Sequence, residues 1–206
     1  VGKGTQAKLL SSKFDIPHIS TGDILRLAVK DQTPIGKKAN EIMSRGDLVP
    51  DEIMIEIIRD RISRFDCKNG FILDGFPRTA VQAIAFDRLM QEVGINDIVL
   101  ININAKESEI IKRLGNRRAC KNCGQIFIND DIKDLNKCPN CSAENSFYLR
   151  NDDKEEVIKN RLEVFESTTK PVFDHYQQKG KVISINGMGT VEDVHDRLIN
   201  SLSSKF

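Results

Sequence analysis

Polar and apolar residues along this chain alternate between two spacings. After the opening VGKGTQAKLL, the segment TQAKLLSSKF predicts a short helix, and PHIS at 17–20 a brief strand. TGDILRLAVK carries apolar residues at helical spacing behind Thr21 and Asp23, both residue types that cap helices. IGKKANEIMSRG and DEIMIEIIRDRISRF repeat that pattern, the second opening on acidic residues suited to a helix N-terminus. FIL, ended by the turn signal DG at 74–75, predicts a strand buried on both faces. A helix from Thr79 to about Val93, a strand DIVLINI and a helix from about Glu107 to Arg117 follow.

Residues 118–149 break this rhythm with Asn, Asp, Gly and Pro and have no helical period, so they read as an insertion. Beyond them, DDKEEVIKNRLEVFESTTK predicts a long helix capped by Asp152 or Asp153, and PVFDHYQQKG another. KVISIN predicts a strand and TVEDVHDRLINSL a closing helix, with Thr190 and Asp193 spaced as a capping box. Strand and helix alternate almost throughout, which predicts an α/β fold around a parallel sheet.

Composition narrows the functional classes. The 206 residues, 39% hydrophobic, suffice for one sizeable core and a small inserted module. Thirty-one basic and 30 acidic residues give a net charge of +1, so no field of one sign draws the whole molecule to nucleic acid or to a membrane. The longest apolar stretch, IVLINI at 98–103, is of strand length, and no membrane span is expected.

Four of the five cysteines form CKNC (120–123) and CPNC (138–141), separated by 14 residues. Two such turns can close a thiolate tetrahedron around zinc, with Cys120, Cys123, Cys138 and Cys141 as ligands. Disulfides are the rival reading; a reducing compartment disfavours them. Four thiolates leave no open coordination position, so the expected ion is structural. Cys67 stands alone and reads as a small buried apolar residue.

In GKGT, glycines let backbone N–H groups approach phosphate oxygens, Lys3 supplies a mobile charge, and the next helix presents its positive end. Gly4 stands where a P-loop usually has Ser or Thr, and on its own the fragment is equally a surface turn. HISTGDILR, LVPDE, ILDGFPRT and NRLEVFESTTKP, in this order across the chain, resemble the adenylate kinase family of nucleoside monophosphate kinases. Family members carry a central strand and the start of the loop ahead of the position of Val1, and that strand is expected in this protein too. Four buried apolar strand residues at about 1.5–3 kcal/mol each are comparable with the ~5–15 kcal/mol that holds a domain together.

The resemblance implies a P-loop kinase fold, a parallel sheet flanked by helices, with a core of residues 1–20, 50–116 and 152–206. It implies a monophosphate-binding domain at 21–49 and a zinc-binding lid at 117–151. The reaction it implies is reversible, Mg²⁺-dependent phosphoryl transfer from ATP to AMP. The ATP site would comprise Val1, Gly2, Lys3, Gly4 and Thr5 of the loop, Arg113 and Arg117, Ile126 and Phe127 near the adenine, and the backbone of Gly189. The AMP site would comprise Thr21, Arg26, Asp47, Leu48, Val49, Gly75, Phe76, Pro77, Arg78, Gln82, Arg150 and Arg161. Lys3, Arg78, Arg113, Arg117, Arg150 and Arg161 would act on the transferring group. Asp74 would orient water on Mg²⁺, with Asp23 as a helper.

A kinase for UMP, CMP or GMP shares this fold; Gln82 and the zinc-bearing insertion favour AMP. A binding module built on the cysteine segment, supported by KRLGNRRACK, is the reading from another class, and the near-zero net charge offers it no wider basic face. The expected partners are ATP, AMP and ADP, with no nucleic acid or membrane, in a cytoplasmic monomer.

Overall fold

The computed structural model describes residues 2–203. Among these residues nine α-helices and seven strands follow in chain order: α1 (Lys3–Phe14), β1 (His18–Ser20), α2 (Thr21–Lys30), α3 (Pro34–Arg45), α4 (Asp51–Ile62), β2 (Ile72–Asp74), α5 (Ala80–Glu92), β3 (Leu100–Asn104) and α6 (Glu107–Gly115), then β4 (Arg117–Cys120), β5 (Ile126–Ile128), β6 (Phe147–Tyr148), α7 (Glu155–Val164), α8 (Lys170–Gln177), β7 (Val182–Asn186) and α9 (Val191–Ser203). β1 pairs with β2, and β3 with β7, both in parallel. The expected α/β fold with parallel strands and flanking helices is thus present.

Two cores flank these pairs. One gathers Ile19, Leu25, Val49, Met54, Ile58 and Phe86 from β1 and from α2, α4, α5 and the segment between α3 and α4. The other gathers Leu10, Ile183, Ile185, Val194 and Leu198 from α1, β7 and α9. Among the described residues β2 and β3 do not pair with each other. Ile72, Ile101 and Ile103 instead line a cavity that also reaches Leu10 and Leu198. β2, expected to be buried on both faces, has half-buried residues among those described.

Several expected boundaries move, each for a visible reason. Ser20, not Thr21 or Asp23, caps α2, accepting from the Asp23 N–H at 3.3 Å. The Thr21 hydroxyl lies 3.2 and 3.1 Å from the carbonyls of Asp74 and Gly75 instead. α6 stops at Gly115, and Arg117 opens β4. Neither Asp152 nor Asp153 caps α7, since both carboxylates are held by arginines. The two helices expected after the insertion are joined without a break by a π-helical turn, Phe165–Thr169. Thr190 and Asp193 do form the capping box, with bonds of 2.9 and 3.1 Å. Cys67 lies in the first core, with Arg61 Nη1 donating to its sulfur at 3.2 Å.

The insertion is a small antiparallel sheet in the order β5-β4-β6. It holds few apolar side chains, among them Phe127 edge-on to Phe147 at 5.4 Å. No helix among the described residues is long and apolar enough to cross a membrane.

Candidate active site

α1 begins directly after Gly2, so the N–H groups of its first turn lack intrahelical acceptors and carry the positive end of the helix, and the residues of that turn line the cavity. Lys3 sits on that turn, its Nζ 3.1 Å from Oδ1 of Asp74 at the end of β2. His18 Nε2 approaches the other carboxylate oxygen at 3.5 Å. Burial pushes the Asp74 carboxyl up, but the Lys3 ammonium and His18 overcome this and hold it well below the usual carboxylate range. Asp74 favours the charged form of Lys3, yet desolvation and the charges of Arg78 and Arg161 outweigh it and lower that pKa.

The turn after β2 is built for close approach. Gly75 has φ 84°, and a Cβ there would sit 2.8 Å from Arg78 Nη2 and 2.9 Å from Thr21 Oγ1. Arg78 folds back over it, its Nε donating to the Gly75 carbonyl at 2.8 Å. Burial, then the neighbouring charge of Arg161, lowers the Arg78 pKa.

Four further arginines are held by carboxylates. Arg117 donates to Asp153 from Nε at 2.7 Å and from Nη2 at 2.5 Å. Arg161 Nη1 lies 3.0 Å from Asp152 Oδ2 and 3.4 Å from Asp153 Oδ1. Arg113 Nε donates to Glu109 at 2.6 Å, and Arg26 Nη2 to Asp23 at 2.5 Å. Asp23 is thereby the partner of Arg26. Arg150 has a buried Nε with no partner; burial, then Arg26 and Arg117, lowers its pKa.

A cavity of about 2310 Å³ joins these groups. Its lining mixes charged side chains with apolar ones. Lys3, Asp74, Arg26, Arg78, Arg113, Arg117, Arg150 and Arg161 all line it. So do Gly2, Gly4, Thr5, Ile126, Phe127 and Gly189, together with Thr21, Asp47, Leu48, Val49, Gly75, Phe76, Pro77 and Gln82. Val1 lies outside the described residues. The patterning of the chain does not reveal Glu109, Asp152 and Asp153 as partners of these arginines, or Asp51 as the partner of Gln82; the paired acids of NDDK read as a cap.

The four paired-turn cysteines are free thiols whose sulfurs all lie within 4.8 Å of one another. Cys120 and Cys141 are 3.7 Å apart, and Cys123 and Cys138 3.8 Å. A disulfide needs about 2.05 Å. A tetrahedron of thiolates with Zn–S bonds of about 2.3 Å has sulfur edges near 3.8 Å, so the cluster is compatible with zinc.

Comparison with known proteins agrees with this geometry. The family model described as adenylate kinase matches residues 1–181. An adenylate kinase of Caldicellulosiruptor bescii is 48% identical over 203 residues, covering 98% of this chain and 94% of its own length. Another, from Archaeoglobus fulgidus, is 46% identical over 195 residues, covering 94% of this chain and 89% of the relative. That of Thermodesulfovibrio yellowstonii is 43% identical over 206 residues, covering 99% and 95%. With a family match over most of its length and such relatives over nearly all of it, the chain belongs to the adenylate kinase family.

Proposed function

We propose that the protein transfers the γ-phosphoryl group of ATP to a phosphate oxygen of AMP, reversibly and without a phosphoenzyme, giving two ADP. The bond from the γ-phosphorus to the bridging oxygen breaks as the bond to AMP forms. Such a transfer asks for positioning and charge stabilisation more than covalent chemistry. The observation that carries the reading is the convergence of Lys3 and six arginines on one cavity, four of those arginines pre-oriented by carboxylates.

In this reading the first turn of α1 and Lys3 hold the ATP phosphates, with Arg113 and Arg117 on the side of the insertion. Arg26 and Arg78 hold the AMP phosphate, and Arg150 and Arg161 face the transferring group. Phosphate oxygens would share or displace the present carboxylate partners, so little side-chain ordering is left for the moment of reaction. Ile126, Phe127 and Gly189 border the adenine of ATP. Thr21, the Asp47–Val49 backbone and the Gly75–Arg78 turn enclose AMP, and Gln82 reads its base.

Asp74 fits a place beside a hydrated divalent cation. Its Oδ1 is ion-paired to Lys3 at 3.1 Å, and a carboxylate oxygen keeps a further lone pair beyond that one contact for a cation's water. Mg²⁺ arriving with ATP would neutralise charge building on the phosphoryl oxygens.

Residues 117–151 act as a lid over the core of residues 1–20, 50–116 and 152–206, with 21–49 closing on AMP. Zinc at Cys120, Cys123, Cys138 and Cys141 would cross-link a segment too polar to build a core; in small finger peptides such a site is worth about 10–16 kcal/mol. A closed lid keeps water from the phosphoryl group. Action as a monomer is what the family resemblance implies, and four clustered free thiols suit the cytoplasm. The test is a coupled assay of ADP formation from ATP plus AMP and of ATP formation from ADP alone. Activity in both directions is expected; hydrolysis of ATP without AMP consumption would refute the reading.

A further inference from the structure

Asp51, the first residue of α4, reaches across to the start of α5. Its Oδ2 accepts from Thr79 Oγ1 at 3.0 Å, and its Oδ1 accepts from Gln82 Nε2 at 2.8 Å. The opposite end of the same amide is also held: the backbone N–H of Arg78 donates to Gln82 Oε1 at 2.8 Å. Gln82 is 2% exposed, and it lines the cavity beside Thr21, Val49 and Gly75.

These two partners are chemically one-sided. An ionised carboxylate only accepts, and a backbone N–H only donates. Of the two ways round that the amide can sit, one satisfies both partners. The other sets oxygen against carboxylate and N–H against N–H, in a buried place where unmet polar groups are costly. In the favoured orientation the amide retains one N–H and one oxygen lone pair, a donor beside an acceptor. An adenine edge offers the complement, a ring nitrogen that accepts next to an amino group that donates. A 6-oxopurine offers the reverse, a ring N–H next to a carbonyl.

We propose that Asp51 is a specificity-determining positioning residue, whose carboxylate fixes the direction of the Gln82 amide and so makes the monophosphate pocket select 6-aminopurine over 6-oxopurine nucleotides. The inference rests on the adenylate kinase reading above. Thr79 belongs to the same network, since its oxygen accepts from the Gln82 backbone N–H at 3.0 Å while its hydroxyl proton goes to Asp51.

The full chain is assayed at saturating ATP with AMP and with inosine 5′-monophosphate, which differs from AMP only at the edge in question. Asp51→Asn keeps the shape but can offer an N–H, so Gln82 is no longer obliged to present its own. The AMP-over-IMP ratio of kcat/KM is expected to fall about tenfold, a modest part of what hydrogen-bond readout can supply. The change should lie in KM for the monophosphate, with KM for ATP constant. Asp51→Glu, which retains an acceptor, should recover part of the ratio. Thr79→Val removes a helix cap but leaves the Asp51–Gln82 bond, so Tm should fall and the ratio hold. A folded Asp51→Asn protein with the wild-type ratio overturns the proposal, and so does an equal loss of selectivity in Thr79→Val. Failure of the underlying reading is distinct: the wild type itself would then make no ADP from AMP.

Discussion

Arg117 and Asp153 meet as a two-pronged pair, with N–H···O bonds of 2.7 and 2.5 Å, and the Asp153 side chain is wholly buried. The pair ties β4, the first strand of the insertion, to the turn that leads into α7, and Arg161 shares the same carboxylate at 3.4 Å. One buried charge thus orients two cationic side chains of the cleft.

Removing that charge leaves both guanidinium groups short of a partner. Asp153→Ala should cost about 3–5 kcal/mol of stability, as for other broken buried pairs. Urea denaturation measures the loss, and kcat should fall with it in the fraction that remains folded. A stability change under about 1 kcal/mol would mean that solvent already screens the pair.

Gly46 caps α3 with φ 84°, and a Cβ there would lie 2.9 Å from Arg161 Cγ and 3.0 Å from the Val157 carbonyl. Asn160, on the same face of α7, donates to the Arg45 carbonyl at 2.7 Å. Gly46→Ala would strain the backbone and press on the stem of Arg161. Steady-state kinetics should show KM for AMP raised severalfold and KM for ATP little changed. Equal effects on both substrates would contradict the placement of this turn in the AMP half.

How much of this was legible in the residues follows from what each signal reports. The helical spacing of TGDILRLAVK and the capping box at Thr190 and Asp193 are local, and both appear where expected. Asp152 and Asp153 looked like helix caps because capping is also a local property, whereas their true partners, Arg161 and Arg117, are met only after folding. The same holds for Asp51, 31 positions from Gln82. The unbroken passage through Phe165–Thr169 was hidden by Pro171, which here lies in the first turn of α8.

Cys138 is buried among the four thiols, and serine there would remove one ligand of the proposed zinc site. Hydrogen exchange of Cys138→Ser, or of the wild type treated with a chelator, should rise across residues 117–151 and stay unchanged in β3 and β7. Uniform exchange in all segments would argue against a structural ion confined to the lid.

Asp74 gives a pH signature with a defined sign. Its folded pKa is lowered from the ordinary 3.8, so its ion pairs contribute stability that is fully present above that value and is lost as pH falls through the lower folded value. The gap in urea midpoint between the wild type and Asp74→Asn should hold from about pH 7 to about pH 5 and shrink toward about pH 3. A gap that already narrows near neutrality would show that Asp74 is not held charged in this way.

The most direct test of the central claim follows ATP, AMP and ADP by phosphorus NMR with the wild type and with Arg78→Ala. Arg78 lines the cleft, and losing a charge-assisted phosphate contact of about 1.5–3 kcal/mol should slow transfer at low AMP roughly 10- to 100-fold, while the wild type brings the three nucleotides to equilibrium. Equal rates for the two proteins, or no interconversion by the wild type, would contradict a cleft of converging arginines as the seat of phosphoryl transfer.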